Sequence, residues 1–177
     1  MFAGKSEELI RLARRNTYAR RKIQVFKHAW DDRFEKTAVA AHSGMKIEGE
    51  PVRNSAEIAA RLEPDTEVIA IEEAQFFDEG LPAMAVRWAD EGRTVILAGL
   101  DQDFRREPFG IMPQLMAVAD EVVKLRAICM VCGQSASHTQ RLVDGKPAAW
   151  NEPTVLIGAE DHYEARCRRC HRIKKPK

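Results

Sequence analysis

The chain has 177 residues, room for one medium domain with a small appendage, since domains usually run to about 100–150 residues. Residues of the AVILMFWYC set make up 45% and charged residues 31%, a globular balance that excludes a disordered or collagen-like chain. Lys and Arg number 28 against 27 Asp and Glu, a formal charge of +1, so neither nucleic acid nor an anionic membrane is expected as a partner.

Taken in chain order, Leu9, Ile10, Leu12 and Ala13 recur at helical spacing among charged residues and predict a helix from Lys5 to about Tyr18. Ile23, Val25 and Phe26 predict a strand, and residues 37–41 another. Asn54 and Ser55 open a short N-capped helix over 56–62, closed by Pro64. The run Val68-Ile69-Ala70-Ile71 is wholly apolar, as a strand buried on both faces should be. A helix over 81–90 that stops at Gly92, a strand over 94–98, and a strand holding Val122, Val123 and Leu125 follow. Strands alternating with helices predict an α/β fold with a parallel sheet flanked by helices. From Cys129 onward the texture changes to turns, short strands and cysteines. The expected division is a nucleotide-binding α/β domain over 1–127 and a small zinc domain over 128–177. No run of about 18 apolar residues and no charged-then-apolar leader stand in the chain, so the expected compartment is the cytoplasm.

Met1-Phe2-Ala3-Gly4-Lys5-Ser6, running straight into the first helix, matches the second part of the phosphate-loop pattern G-x-x-x-x-G-K-[ST]. Such a loop turns backbone N–H groups and a helix N-terminus toward phosphate oxygens, while the lysine neutralises them and the hydroxyl meets Mg²⁺. The other reading of the same residues is a chance G-K-S with Ser6 as a helix cap. The first glycine of the pattern would fall two residues before Met1, and the strand that feeds the loop would precede it. Both are expected to be wanting from the chain as it stands.

The buried run over 68–71 ends in Glu72-Glu73-Ala74-Gln75. Carboxylates at the C-terminal end of a parallel strand lie where α/β proteins bind ligands, so one can serve a metal and the other an attacking hydroxyl. A solvated strand end is the plainer alternative. The strand over 94–98 leads to a second ligand-facing loop, where Phe104 either stacks on a planar base or packs in the core. In the same loop Arg106 either steadies a transferring phosphoryl group or lies in solvent.

All four cysteines fall in two C-x-x-C pairs, Cys129 with Cys132 and Cys167 with Cys170. That spacing predicts a structural Zn²⁺ held by four thiolates, with a redox dithiol as the alternative. His171 competes with Cys170 for the fourth position, and the C-x-x-C spacing favours the cysteine. Asp144-Gly145 is a hairpin-turn dipeptide within the segment that zinc would pin at both ends. These motifs alone also suit another P-loop phosphotransferase or ATPase with a zinc ribbon. A zinc-ribbon nucleic-acid-binding module using the arginines from Arg166 onward would share only the cysteines.

Met-Phe-Ala-Gly-Lys-Ser-Glu-Glu-Leu-Ile-Arg at 1–11, Glu-Ala-Gln-Phe-Phe at 73–77 and Ala-Gly-Leu-Asp-Gln-Asp-Phe-Arg-Arg-Glu-Pro-Phe-Gly at 98–110 resemble type II thymidine kinase. So do Thr-Gln-Arg-Leu at 139–142 and Tyr-Glu-Ala-Arg-Cys-Arg-Arg-Cys-His at 163–171. The resemblance implies a RecA-like P-loop domain with a zinc-anchored lasso over the nucleoside, in a homotetramer that uses ATP, Mg²⁺ and structural Zn²⁺. It implies γ-phosphate transfer from ATP to the 5′-hydroxyl of thymidine, and of deoxyuridine. By matching position, Glu73 is the general base, and residues 1–6 with Glu72, Glu73, Ala74 and Gln75 contact ATP. Phe104 stacks on the base, Tyr163 touches it, and Thr154, Val155, Leu156, Ile157 and Gly158 read its edge. Met1, Phe76, Leu100 and Thr139 match positions lining the pocket floor. The family usually has aspartate where this chain has Glu72, and a longer carboxylate still reaches Mg²⁺ through water.

Overall fold

A computed structural model describes residues 1–29, 38–40, 44–154 and 162–174. Helix α1 (Lys5–Tyr18) leads to strand β1 (Ile23–His28), then β2 (Ala38–Ala40), β3 (Lys46–Glu48) and β4 (Glu50–Val52). Helix α2 (Ser55–Arg61), strand β5 (Val68–Glu72), a 3₁₀ turn (Ala74–Phe76), α3 (Leu81–Asp90), β6 (Thr94–Leu97) and α4 (Met112–Val118) follow. The remainder is antiparallel: β7 (Ala127–Ile128), β8 (Ser135–Ala136), β9 (His138–Val143), β10 (Lys146–Pro147) and β11 (His162–Arg166). The chain forms two compact units. One holds residues 5–100 and 110–122, the other residues 1–4, 101–109 and 123–177.

In the first unit four parallel strands lie in the order β4-β1-β5-β6. The expected parallel sheet is therefore present. Its faces are sorted by the period-two alternation of strand side chains. Phe26, Ile69 and Ile71 point to one side and pack with Ile58 of α2, Leu81 and Trp88 of α3, and Leu115 of α4. Val25 and Ala70 point to the other and pack with Leu9 and Ile10 of α1 and with Val39 of β2. Each large apolar side chain so buried contributes roughly 1.5–3 kcal/mol. Helix α1 keeps Leu9, Ile10 and Ala13 inward while Glu8 and Arg11 pair on its outer face. Asn54 caps α2 by accepting from the Glu57 amide at 2.9 Å, as its place before the helix predicts.

The chain runs from β1 to β4 on one side, then returns to β5 on the other side of β1. Such a reversal opens a crevice at the C-terminal ends of the strands. A cavity of about 530 Å³ lies there, lined by His28, Ala29, Arg53, Phe76, Phe77 and Asp78. The His28 ring stands 3.1 Å from the Arg53 carbonyl and meets the Phe77 ring edge-on at 5.1 Å.

In the second unit β9 is the centre of a three-stranded sheet between β10 and β11. Asp144 and Gly145 form the expected two-residue hairpin, both with positive φ (49° and 72°), joining β9 to β10. The apolar core is small: Ala127, Cys129, Ala136, Ala165 and Cys167. One sequence expectation fails. Val122, Val123 and Leu125 form no strand, and the two valines are 44% and 62% exposed. A β-branched run becomes a strand only where a neighbouring edge takes up its N–H and C=O groups, and none of the described strands pairs with this one. Among the described residues no helix is long and apolar enough to cross a membrane.

Gly110 has φ +51°, and a Cβ built on it would fall 2.2 Å from the Gln75 carbonyl oxygen. Gly92 has φ +86° with nothing within 4 Å of such a Cβ. Gly92→Ala should cost only the left-handed penalty, about 1–2 kcal/mol. Gly110→Ala must also displace the backbone of the acidic loop and should cost at least about twice as much. Urea unfolding of the two variants tests this; equal losses would show that the loop around Gln75 yields freely.

Candidate active site and metal centre

Strand β5 is buried along all five residues, and Glu72, its last, is 5% exposed. Glu73 then takes a left-handed conformation (φ 53°, ψ 44°), which breaks the strand and starts the 3₁₀ turn. For a non-glycine residue that conformation costs of order 1–3 kcal/mol and survives only where its surroundings hold it. Here the Ala74 amide donates to the Ala98 carbonyl at 2.9 Å, and the Gln75 side chain donates to a Glu73 carboxylate oxygen. The other end of the Gln75 amide accepts from the Leu100 N–H at 3.0 Å. The two carboxylates therefore point apart: Glu72 is fixed at the strand end, and Glu73, half-buried, stands one residue beyond.

Lys5 and Ser6 are the first two residues of α1, and the Ser6 hydroxyl donates to a Glu72 carboxylate oxygen. The phosphate-loop hydroxyl and the acidic strand end, far apart in sequence, are thus brought together. A hydroxyl and a carboxylate at a helix N-terminus suit Mg²⁺, which takes oxygen ligands and keeps several waters. Lys27 was not foreseen. It is 3% exposed on β1, in register beside Glu72 of β5.

In the other unit Phe2 (φ 60°) and Gly4 (φ 75°) give the start of the phosphate loop its left-handed turns. Ala3 packs against the cysteine core, and the Met1 nitrogen donates to the Thr139 hydroxyl at 3.0 Å, joining two expected floor residues. The loop 101–109 is folded around Asp103, whose Oδ1 accepts from the amides of Arg105 (2.8 Å) and Glu107 (3.0 Å). This forces Arg106 into the left-handed region at φ 67° and leaves it half-buried. Phe104 is 3% exposed; the guanidinium carbons of Arg105 and Arg141 lie over its ring, 4.7 and 5.4 Å from the centroid. Tyr163 sits on β11 directly opposite Arg141 of β9. Thr154 accepts from Arg105 at 2.5 Å, whereas Val155, Leu156, Ile157 and Gly158 lie outside the described residues. Arg105 and Arg141 were missed because a buried arginine has no sequence signature apart from its fold.

The four cysteine sulfurs lie within 4.8 Å of one another. Cys132 Sγ and Cys167 Sγ are 3.7 Å apart, close to the edge of a tetrahedron with Zn–S of about 2.3 Å, which is about 3.8 Å. Burial pushes the Cys129 thiol up, but N–H groups of Cys167, Val131 and Cys132 outweigh it and bring the thiol to about 6. Cys170, hydrogen-bonded by Cys132 and Cys167 and crowded by the others, is pushed up to about 12. Four thiolates without a cation repel one another, and a bound Zn²⁺ removes that cost. Among the described residues His171 is not part of the cluster, which the four cysteines form, and its Nε2 lies 2.9 Å from the Phe104 carbonyl oxygen. His138, 5% exposed, is engaged by Gln102 at 3.1 Å. Burial, aided by the positive field of Arg168, His171 and Arg106, lowers its pKa to about 4.

A first-turn helix hydroxyl on a strand-end carboxylate and a four-cysteine cluster are the arrangement that the sequence resemblance leads one to expect. A family model described as Thymidine kinase matches residues 1–171. With almost the whole chain matched in one frame and the four-cysteine cluster formed, the chain belongs to the thymidine kinase family.

Proposed function

We propose that Glu73 is the general base in transfer of the γ-phosphate of ATP to the 5′-hydroxyl of thymidine, the reaction of the family. The contact between the Ser6 hydroxyl and the Glu72 carboxylate carries this reading. It joins the helix that cradles phosphate to the strand whose next residue is Glu73. The 5′-oxygen attacks the γ-phosphorus as its proton passes to the Glu73 carboxylate; the bond to the β-phosphate oxygen breaks, and ADP leaves with the electron pair. Lys5 and the amides at the head of α1 offset the phosphate charge, together with the loop of Met1, Phe2, Ala3 and Gly4. Ser6 and Glu72 would hold Mg²⁺, which neutralises charge on the β- and γ-oxygens when bound.

Ala74 and Gln75 complete the nucleotide contacts, and Arg106 steadies the transferring phosphoryl group. The nucleoside end falls to Phe104, Tyr163 and the backbone from Thr154 to Gly158. Main-chain reading of the pyrimidine edge would accept deoxyuridine as well as thymidine, since the two differ only by a methyl group. Support for the roles of residues 1–6, 72–75 and 104 comes from their motif positions and from the local geometry of each unit. Division into a nucleotide-binding stretch, 1–127, and a zinc-anchored stretch, 128–177, belongs to the same reading, as does assembly as a homotetramer.

Glu73→Gln should lower kcat by roughly 10²–10⁴ with little change in thymidine affinity, the usual effect of deleting a positioned base. Single-turnover phosphorylation with thymidine binding measured alongside checks this, and near-normal turnover would remove Glu73 from the chemistry. Metal analysis of protein purified without chelator should find about one Zn²⁺ per chain. Stripping the metal under reducing conditions should speed hydrogen exchange in β7, β8 and β11 before β1 and β5. Zinc-free protein with unchanged exchange would contradict the structural role of the thiolates.

A further inference from the structure

Phe104 is held by more than apolar packing. Its carbonyl lies 2.9 Å from His171 Nε2, and its ring lies under two guanidinium groups, of Arg105 and Arg141. Those same groups grip one stretch of chain. Arg105 Nε donates to the Trp150 carbonyl at 2.6 Å, Nη1 to the Thr154 hydroxyl at 2.5 Å, and Nη2 to the Glu152 carbonyl. Asp103 Oδ2, 3.1 Å from Nη1, orients the fork. Arg141, fully buried, donates from Nη1 to the Pro153 carbonyl at 2.5 Å. Trp150, Glu152, Pro153 and Thr154 are thus tied one after another to the two arginines over the Phe104 ring.

We infer that Arg105, together with Arg141, is a positioning residue for nucleoside recognition: it locks the Phe104 loop to residues 150–154. The inference rests on the reading of Phe104 and Thr154 as parts of the pyrimidine site. Three bonds from one planar fork fix both distance and direction, which a hydrophobic contact between the same segments would not. The aromatic ring and Thr154 are then held as one body, so the geometry they offer to the pyrimidine is set before it binds. Arg105 is neither a phosphate ligand nor a catalytic residue on this view. Its loss should be felt in thymidine binding and not in ATP binding.

The test compares Arg105→Gln, Arg105→Lys and Phe104→Leu in the zinc-loaded, full chain. Arg105→Gln should raise the thymidine KM roughly 10- to 100-fold, the usual consequence of misplacing a binding group by about an ångström. ATP KM and zinc content should stay close to those of the parent chain. Lysine should not rescue, because an ammonium cannot span Trp150, Glu152 and Thr154 at once; where the glutamine variant fails to fold, the lysine variant decides. Combining Arg105→Gln with Phe104→Leu should raise KM by much less than the product of the single effects, since both break one assembly. Hydrogen exchange over 150–154 should quicken in Arg105→Gln while that of β1 and β5 is unchanged. If Phe104→Leu raises the thymidine KM but neither Arg105 variant does, the positioning role falls and the pocket reading stands. If Phe104→Leu leaves that KM unchanged, the pocket reading falls and takes this inference with it.

Discussion

Burial of β5 on both faces is the constraint from which the chemistry follows. A strand covered by α1 on one side and by α2, α3 and α4 on the other has no freedom to slide, because each of its apolar side chains has a fixed place in one of two cores. Its last residue, Glu72, inherits that rigidity. Glu73 is then turned out of the strand by a left-handed backbone that the Ala74–Ala98 hydrogen bond and the Gln75 side chain hold in place. Two adjacent carboxylates are so given different directions and different surroundings. One accepts from the Ser6 hydroxyl at the head of α1, and the other, half-exposed, accepts from the Gln75 side chain.

The unit holding Phe104 is built on a different principle. Its apolar core consists of three alanines and two cysteines, and at about 0.8 kcal/mol per buried CH₂ such small side chains contribute little. What fixes it is directional. Backbone N–H groups of Cys167, Val131 and Cys132 bond the Cys129 sulfur, and the turn that carries it is closed by the Gly133 N–H donating to the Cys129 carbonyl at 2.9 Å. Asp103 folds the loop 101–109 around one carboxylate, and buried arginines bind carbonyls in place of side chains packing on side chains. Domains short of apolar volume commonly add metal ligation for this reason.

Much of the first unit was legible in the sequence because its signals are local. The α1 stripe, the Asn54 cap, the wholly apolar run over 68–71 and the stop at Gly92 each state a conformation without reference to distant residues. The paired C-x-x-C spacing was as plain, and the sulfur geometry agrees with it. What could not be read is whatever depends on a neighbour brought by the fold. Val122 and Val123 have strand composition but no strand beside them among the described residues. Arg105 and Arg141 look like surface arginines until Phe104 is set against them. Gly110 and Lys27 gain meaning only from Gln75 and Glu72, residues remote in sequence.

The two principles suit the two tasks proposed for the units. Phosphoryl transfer needs carboxylates, hydroxyl and lysine held within fractions of an ångström, and a close-packed apolar core supplies that stiffness from all sides at once. Recognition of a planar base needs donors and acceptors at set angles, which burial alone cannot provide, since hydrophobic contact has no direction. Hydrogen bonds from guanidinium and to thiolate do have direction, and they are stronger where burial removes competing water. The same burial makes them costly to break singly, because a buried guanidinium or carbonyl left without its partner forfeits its solvation. A unit fastened in this way gives up little when one alanine of its core changes and a great deal when one arginine does. The first unit, with Trp88, Phe26 and Ile69 at its centre, has the opposite sensitivity.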